Sequence, residues 1–485
     1  MLSRQVLSRI FPALFAFAAV LLVDCGSEEK SPLRHSDTRF NLVLIVSDAM
    51  RQDVLGCYGG AARTPNLDRL AGEGVVFDNA YSTSPWTPPS AVSIFTGSYA
   101  TSYPCSTLTR TLQILVPGEE ILLAEALAQQ GYETALKNEN VQASLHNCFQ
   151  GFELLDRAGI GAELTDETRD AIARITGDAP IGNLFYQQSY HLLAHLLNLP
   201  EGTNFFFAHW MLAPHEPYRP VEKFAKRIVV DKSRLTHPAE RYSARRNIEG
   251  ELNDEEARYL EARYLAEVES VDERVGYVYQ ILEHRKLLES TYFVFTADHG
   301  ELFGEHGRFG HGIDYFEDIL RVPLIIYGPG LPAGTRVETP VSLVDLAATL
   351  GDLLGAEYDN TMQGESFKDL AVGRSEKTRP LYFDDVREHT SVDALLENGF
   401  KLVAMRDSTY QLYDLANDPG ELRDVAGAHE ARIGEMLPKL LAHREANQRR
   451  LTANLILLDG TGKAQLSDQE REELQKKLNS LGYIQ

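Results

Sequence analysis

The sequence predicts an α/β sandwich around a large, mostly parallel sheet, followed by a small antiparallel sheet and terminal helices. Three observations carry this expectation. Short, continuous apolar runs recur along most of the chain, helical patterns separate them, and after residue 375 the texture changes to runs of alternating polarity. A run apolar at every position reads as a strand buried on both faces, and helices between such strands supply the crossovers that parallel pairing needs.

In chain order, "FNLVLIV" leads to Asp48, "NFFFAHWML" surrounds Ala208, "STYFVFTA" leads to Asp298, and "VPLIIYG" begins at Val322. Between them, "EEILLAEALAQQG", closing at Gly131, and "DEEARYLEARYLAEVESVDERVGYVYQILEHRK" carry apolar residues three and four apart, the helical period. Ligands in open α/β sheets bind beyond the carboxyl ends of strands, so Asp48 of "IVSD" and Asp298 of "FTADHG" aim carboxylates at one edge. Residues 155–200 and 219–250 carry no readable code and are expected to be the loops that set specificity. Past residue 375, "RPLYFDDV", "FKLVAMRD" and "YQLYDLAND" suit a small antiparallel sheet. From Gly427 the pattern turns helical, and Ser467 with Glu470 forms a capping-box pattern in the closing tail. The expected plan is a leader and linker over 1–36, a main domain over 37–375 and a C-terminal subdomain over 376–485.

Composition bounds the function. With 485 residues, 44% apolar and 24% charged, the chain is an ordinary globular one with a large core. Its formal charge of -23, from 47 basic and 70 acidic residues, argues against binding nucleic acid and against attraction to anionic lipid. An anionic substrate must then be drawn in by a local feature, and a metal ion is the obvious candidate. At the N-terminus, Arg4 and Arg9 precede "IFPALFAFAAVLLV", which ends at Asp24 and Cys25. That run is shorter than the ~20 residues that span a bilayer and matches a secretory signal, so export to the cell envelope is expected. Cys57, Cys105 and Cys148 follow no metal-site spacing; a Cys105–Cys148 bridge and small buried thiols both remain open.

The stretch "SPWTPPSAVSIFTG" has two readings. Thr87 caps a helix with Pro88 at its first position, or its hydroxyl is a nucleophile beside the positive end of the helix. Asp48, Thr87, Asp298 and His299 together offer two carboxylates, one hydroxyl and one imidazole, a set that suits one divalent ion such as Ca, Mn, Zn or Mg. Each residue alone also has a plain reading: Asp48 as a cap after a strand, Asp298 and His299 as a polar turn.

From "NLVLIVSDAM" through "SPWTPPSAVSIFTG", the sequence resembles the start of the sulfatase family in the alkaline phosphatase superfamily. "GYETAL", "APHEPY", "TADHGELFGEHGRFGHG", "RVPLIIYGPG", "VSLVDLAATLGDLLG", "YQLYDLANDPGE" and the closing "LGYI" follow in the family's order, so the likeness covers nearly everything from Asn41 onward. It implies an alkaline phosphatase-like fold and a metal-dependent hydrolase of anionic esters. Asp48 matches the first metal-binding Asp, Asp298 and His299 the later metal pair, and Thr87 the nucleophile position. His215 matches a His near the leaving group, and His311 a basic residue that touches the anionic group. His306, in the same stretch, reads as a solvated loop residue. Lys137 lies near a substrate-contacting Lys of the family, and Cys25 resembles the lipidated Cys of bacterial lipoproteins, which would tether the chain to a membrane. Asp24 departs from the small residue usual before that Cys.

The departures redirect the chemistry. Sulfatases carry a Cys or Ser in a CxPSR-like motif that is oxidised to formylglycine; this chain reads "TPPSA", with Ala91 in place of the supporting Arg. A Thr cannot become that aldehyde, so its adduct must be broken by attack of water or another acceptor on the central atom. That is the route of the phosphoryl-transfer members, and a phosphoester is expected ahead of a sulfate ester. Ala49 stands where many sulfatases have a second Asp, and Ala213 where relatives read "DPHEPY", which gives a second ion fewer ligands. The expected substrate is a small anionic ester, a glycan or a lipid headgroup. Three rivals stay open: transfer to an acceptor hydroxyl, sulfate ester cleavage without formylglycine, and a degraded member that binds an envelope glycan without turnover.

Overall fold

The structure, a computed structural model, describes residues 39–106, 113–140, 142–154, 165–177, 184–244, 251–356, 361–387, 392–405 and 409–461. The leader, Cys25 and the Ser467 capping box lie outside these residues. Eight strands form the main sheet: β1 (Asn41–Asp48), β2 (Val75–Phe77), β3 (Glu133–Asn138), β4 (Glu153–Leu154), β5 (Phe205–Pro214), β6 (Thr291–Ala297), β7 (Leu324–Tyr327) and β8 (Thr335–Val337). Their spatial order is β8-β2-β7-β6-β1-β5-β3-β4. Every residue of β1, β5 and β6 is buried, as continuous apolar runs require of strands covered on both faces. Only β7 runs against its neighbours. The connection from β6 to β7 carries no helix longer than Glu317–Leu320, too little for a crossover, so the chain returns antiparallel.

Helices cover both faces. On one lie α1 (Pro65–Glu73), α4 (Asp166–Thr176), α5 (Leu184–Asn198) and α6 (Asp254–His284). On the other lie α2 (Thr87–Thr96) and α7 (Leu346–Leu354), with α3 (Leu123–Gln129) beside β3. The 31 residues of α6 form one helix, begun by a capping box in which Asn253 accepts from the backbone N–H of Glu256 and Glu256 reciprocates. Much of 155–200 is thus helical rather than loop: α5 packs on α6, where Ser189 accepts from Arg274 Nε. Helix α2 ends at Gly97, whose φ of 65° favours glycine and where an added Cβ would lie 2.5 Å from Met362 Sδ.

Four antiparallel strands, β9 (Leu381–Phe383), β10 (Asp393–Glu397), β11 (Phe400–Ala404) and β12 (Tyr410–Asp414), form the C-terminal sheet. One of them, β10 over "DALLE", is additional to the three expected segments. The sheet's faces alternate: Phe383, Ala394, Leu396 and Val403 pack against Tyr81 and Leu320, while Leu395, Leu402 and Leu412 pack against Met436 and Leu440 of α8 (Glu430–Thr461). Lys401 of β11 is fully buried between Glu317, 2.9 Å away, and Glu421, 2.6 Å away, and Glu317 also accepts from the Tyr81 hydroxyl. The C-terminal sheet is therefore joined to the main domain by a buried ion triad as well as by apolar packing.

No disulfide joins Cys105 and Cys148. Cys105 is exposed on a short strand, whereas Cys148 is buried with its thiol 3.7 Å from the Ala143 carbonyl, and burial pushes that thiol's pKa up. The second of the two open readings holds for Cys148.

Glu267 on α6 gives a stability prediction. It is buried, its Oε1 accepts the Arg219 backbone N–H at 2.7 Å, and burial pushes its pKa up to about 7. A carboxyl whose folded pKa lies above its unfolded one costs nothing when both states are protonated. The cost grows as pH rises from about 4.5 and is complete above about 7. Glu267→Gln keeps the acceptor and removes the charge. Denaturant melts should show it more stable than the parent at pH 8 by on the order of 3 kcal/mol and equal to it near pH 4.

Candidate active site

The carboxyl ends of β1 and β6 and the head of α2 converge. Asp48 closes β1 and Asp298 with His299 follows β6, all three fully buried, and one ligand atom from each lies within 4.8 Å of the others. His299 Nε2 is 3.7 Å from Asp48 Oδ1 and 3.4 Å from Asp298 Oδ2. Among the described residues this is the one such group of three.

Each ligand is oriented by its surroundings. Asp298 Oδ1 accepts the N–H groups of Ala49 and His299, at 3.0 and 2.9 Å, while its buried Oδ2 has no hydrogen-bond partner among the described residues. His299 Nδ1 donates to the Gly300 carbonyl at 2.9 Å, so Nε2 carries the lone pair toward the carboxylates. Asp48 Oδ2 accepts from Trp210 Nε1 at 3.1 Å and from Asn140 Nδ2. Burial holds the His299 ring down to about 3, and burial with the Asp48 charge pushes Asp298 well above the usual carboxylate range. Two carboxylates and a neutral imidazole, pressed together with an orphaned oxygen, fit a hard divalent cation.

Ala49, directly after Asp48, has a φ of 58°, a left-handed conformation that costs a residue with a Cβ ~1–2 kcal/mol. Its N–H is tied to Asp298 and its carbonyl to the Tyr264 hydroxyl at 2.9 Å. The strain lies where the chain leaves the sheet, and no second carboxylate accompanies it.

Thr87 is not a cap. It is the first residue of α2, Trp86 precedes it as the cap without a side-chain bond, and Pro88 and Pro89 leave the next two positions without N–H groups to accept from. Its Oγ1 instead lies 3.3 Å from His299 Nε2 and 3.5 Å from both Asp48 oxygens. Ala91, one turn on, is fully buried and brings no charge.

His311 and His215 complete the cluster. The His311 ring lies 4.4 Å from that of His299 and 4.9 Å from that of His215, centroid to centroid. His311 Nδ1 bonds Glu301 Oε1 at 2.9 Å, and Glu301 Oε2 accepts from Tyr218 OH at 2.9 Å. His215 Nδ1 donates to the Glu216 carbonyl at 2.5 Å. Burial lifts Glu301 to about 7. His306 is outside the cluster, stacked on Phe316 at 3.6 Å. Lys137 sits in register with His209, whose ring meets Glu139 and Arg274 of α6; that is the sheet face opposite α2. The position beside Asp48 is filled by Asn140, two residues past β3.

Asn140, Trp210, Glu301 and Tyr218 were not singled out by sequence reasoning. Glu301 was open to detection, as the residue after "DHG"; the others had no local signal.

An acid and imidazole cluster able to hold a divalent ion, with a helix-borne hydroxyl beside it, stands at the strand ends of an alkaline phosphatase-like α/β fold. The sulfatase family model matches residues 40–356, and that of the N-sulphoglucosamine sulphohydrolase C-terminal region matches 304–447. The chain belongs to the sulfatase family and is an ester-bond hydrolase. Arylsulfatase K of Xenopus laevis is 27% identical over 473 residues, 88% of this chain and 86% of that protein. The N-acetylglucosamine-6-O-sulfatase of Bacteroides thetaiotaomicron is 24% identical over 495 residues, covering 86% and 87%. The phosphonate monoester hydrolase of Agrobacterium radiobacter superposes with a TM-score of 0.65 at 23% identity, over 84% of this chain and 96% of its own.

Proposed function

We propose that the chain is a metal-dependent phosphoesterase of the phosphodiester or phosphonate monoester type that uses Thr87 as its nucleophile. The observation that carries this is the place of Thr87 Oγ1, within 3.5 Å of Asp48 and His299 and aimed at no helix N–H. Asp48, Asp298 and His299 would hold one divalent ion, Ca, Mn, Zn or Mg. When bound, it supplies the charge that binds a nonbridging oxygen and favours the Thr87 alkoxide.

Thr87 Oγ1 gives its proton to Asp48 and attacks phosphorus in line, as the bond to the leaving oxygen breaks. His215 donates a proton from Nε2 to that oxygen, so the alcohol departs neutral. His311, held by Glu301, steadies the charge on the transferring group. Water then gives a proton to His215 Nε2 and attacks the phosphothreonine at phosphorus; the P–Oγ1 bond breaks, Asp48 returns its proton to Oγ1, and the product leaves. A lipid or glycan hydroxyl in place of water makes the same steps a transfer. The leader and Cys25 support a site of action in the cell envelope, with the protein exported and tethered there.

The test compares kcat/KM for aryl phosphodiester, phosphonate monoester, phosphomonoester and sulfate ester, with and without chelator. Phosphoesters should lead sulfate esters by at least about tenfold, with activity lost on metal removal and restored by one ion per chain. The names of the curated relatives favour the second reading, sulfate ester cleavage. Sulfate turnover above that of every phosphoester establishes it instead, and absence of turnover on all four leaves a binding protein.

A further inference from the structure

Asp48 and Asp298 each have one oxygen already committed. Asp48 Oδ2 accepts from Trp210 Nε1 at 3.1 Å and from the Asn140 amide, and Asp298 Oδ1 accepts its two backbone N–H groups at 3.0 and 2.9 Å. A carboxylate oxygen has about two lone-pair directions, so two donors fill it. What remains for an ion is Asp48 Oδ1, 3.7 Å from His299 Nε2, then Asp298 Oδ2, 3.4 Å from the same nitrogen, and that nitrogen itself.

The two donors on Asp48 are fixed by the fold. Asn140 is buried and the sense of its amide is set, because its Oδ1 accepts the Gln142 N–H at 2.8 Å and leaves Nδ2 for Asp48. Its backbone is fastened by Asn138, whose side chain accepts the Asn140 N–H at 3.0 Å and donates to the Asn140 carbonyl at 2.7 Å. Trp210 is fully buried on β5, in register with Asn138 of β3, and its ring packs beside Phe95 and Phe149. Neighbouring strand ends thus deliver both donors to one oxygen.

Cations differ in how they use a carboxylate. Ca²⁺ gathers about six to eight oxygens and often takes both from one carboxylate, whereas first-row transition ions bind imidazole nitrogen well. Ala49 adds no carboxylate, so the cluster presents two single oxygens and one nitrogen. We propose that Asn140 and Trp210 are selectivity residues of the ion site: by occupying Oδ2 they hold Asp48 to one-oxygen ligation and favour a transition ion over Ca²⁺. This rests on the metal-dependent reading above and narrows its choice of ion.

The test reads binding and needs no turnover. Metal-free parent, Trp210→Phe, Asn140→Ala and the double variant are titrated calorimetrically with Mn²⁺ and, separately, with Ca²⁺, beside melts of the metal-free proteins. Mn²⁺ is the stringent probe, since of the transition ions it is the one that shares the liking of Ca²⁺ for oxygen; the parent should still bind it at least about tenfold more tightly. In the double variant the released Oδ2 serves Ca²⁺ more than Mn²⁺, and the ratio of the two affinities should fall by at least about tenfold. Trp210→Phe loses the N–H and keeps a ring beside Phe95 and Phe149, so it carries the test if the double variant melts below the parent; there the ratio should fall by about threefold or more. A purely architectural role would weaken both ions together and leave the ratio unmoved. That result, or a parent that binds Ca²⁺ as tightly as Mn²⁺, overturns the proposal. No ion bound by the parent overturns the metal-dependent reading with it, whereas the expected ratios without ester turnover overturn hydrolysis alone.

Discussion

Thr87→Ala is expected to fold, to bind one divalent ion and to hydrolyse an aryl phosphodiester at least about 10³-fold more slowly than the parent. The expectation follows from position. Thr87 makes its polar contacts with Asp48 and His299 through Oγ1, and the backbone of α2 starts at this residue whatever the side chain. Thr87→Ser keeps the oxygen and should hold turnover within about tenfold of the parent. Acid quenching of the parent during turnover should trap phosphate on Thr87, visible as a mass increase on its peptide. An alanine variant within about tenfold of the parent would exclude the nucleophile role, whatever its effect on metal binding.

Lys401→Met is the second large effect, and it falls on stability. The lysine is wholly buried, and its two carboxylate partners belong to different parts of the fold: Glu317 to the helical turn before β7, Glu421 to the turn after β12. Burial pushes Glu421 up to about 7, against the pull of Lys401. Removing the cation leaves two carboxyls buried without it, so unfolding should become easier by ~3–5 kcal/mol. The triple variant Lys401→Met, Glu317→Gln, Glu421→Gln should recover most of that loss, because neutral groups carry no such desolvation cost. Equal stability of single variant and parent in denaturant titrations would show the triad to be energetically idle.

The contrast between these two residues shows what the sequence makes legible. The strands ending in Asp48 and Asp298 are readable because burial on both faces leaves an unbroken apolar run, and the edge they share follows from the strand-end rule. Thr87, His215 and His311 lie in segments whose order carries the family likeness, and the structure brings all three to the same cluster. Long-range partners are another matter. Asn140 meets Asp48 across 92 residues and Trp210 across 162, contacts set by strand order, which no local pattern encodes. Lys137 illustrates the same gap: its place in β3 is settled by pleat, and the pleat turns it to the face of His209. Strand β10 was missed because "DALLE" begins and ends in acidic residues and reads as helical; its pairing with β9 and β11 decides otherwise.

Pro88 and Pro89 shape how the head of α2 can meet an anion. A helix head ordinarily grips an anion in two ways, through the field of its aligned peptides and through individual N–H contacts. With both positions occupied by proline, the field remains and much of the contact is gone. The field acts on any anion in proportion to its charge and fades within the first turn, whereas directed bonds also fix the anion's orientation. Without those bonds the orienting of an anion passes from the backbone of α2 to the side chains around it. The doubled proline makes this helix head a source of potential rather than a cradle.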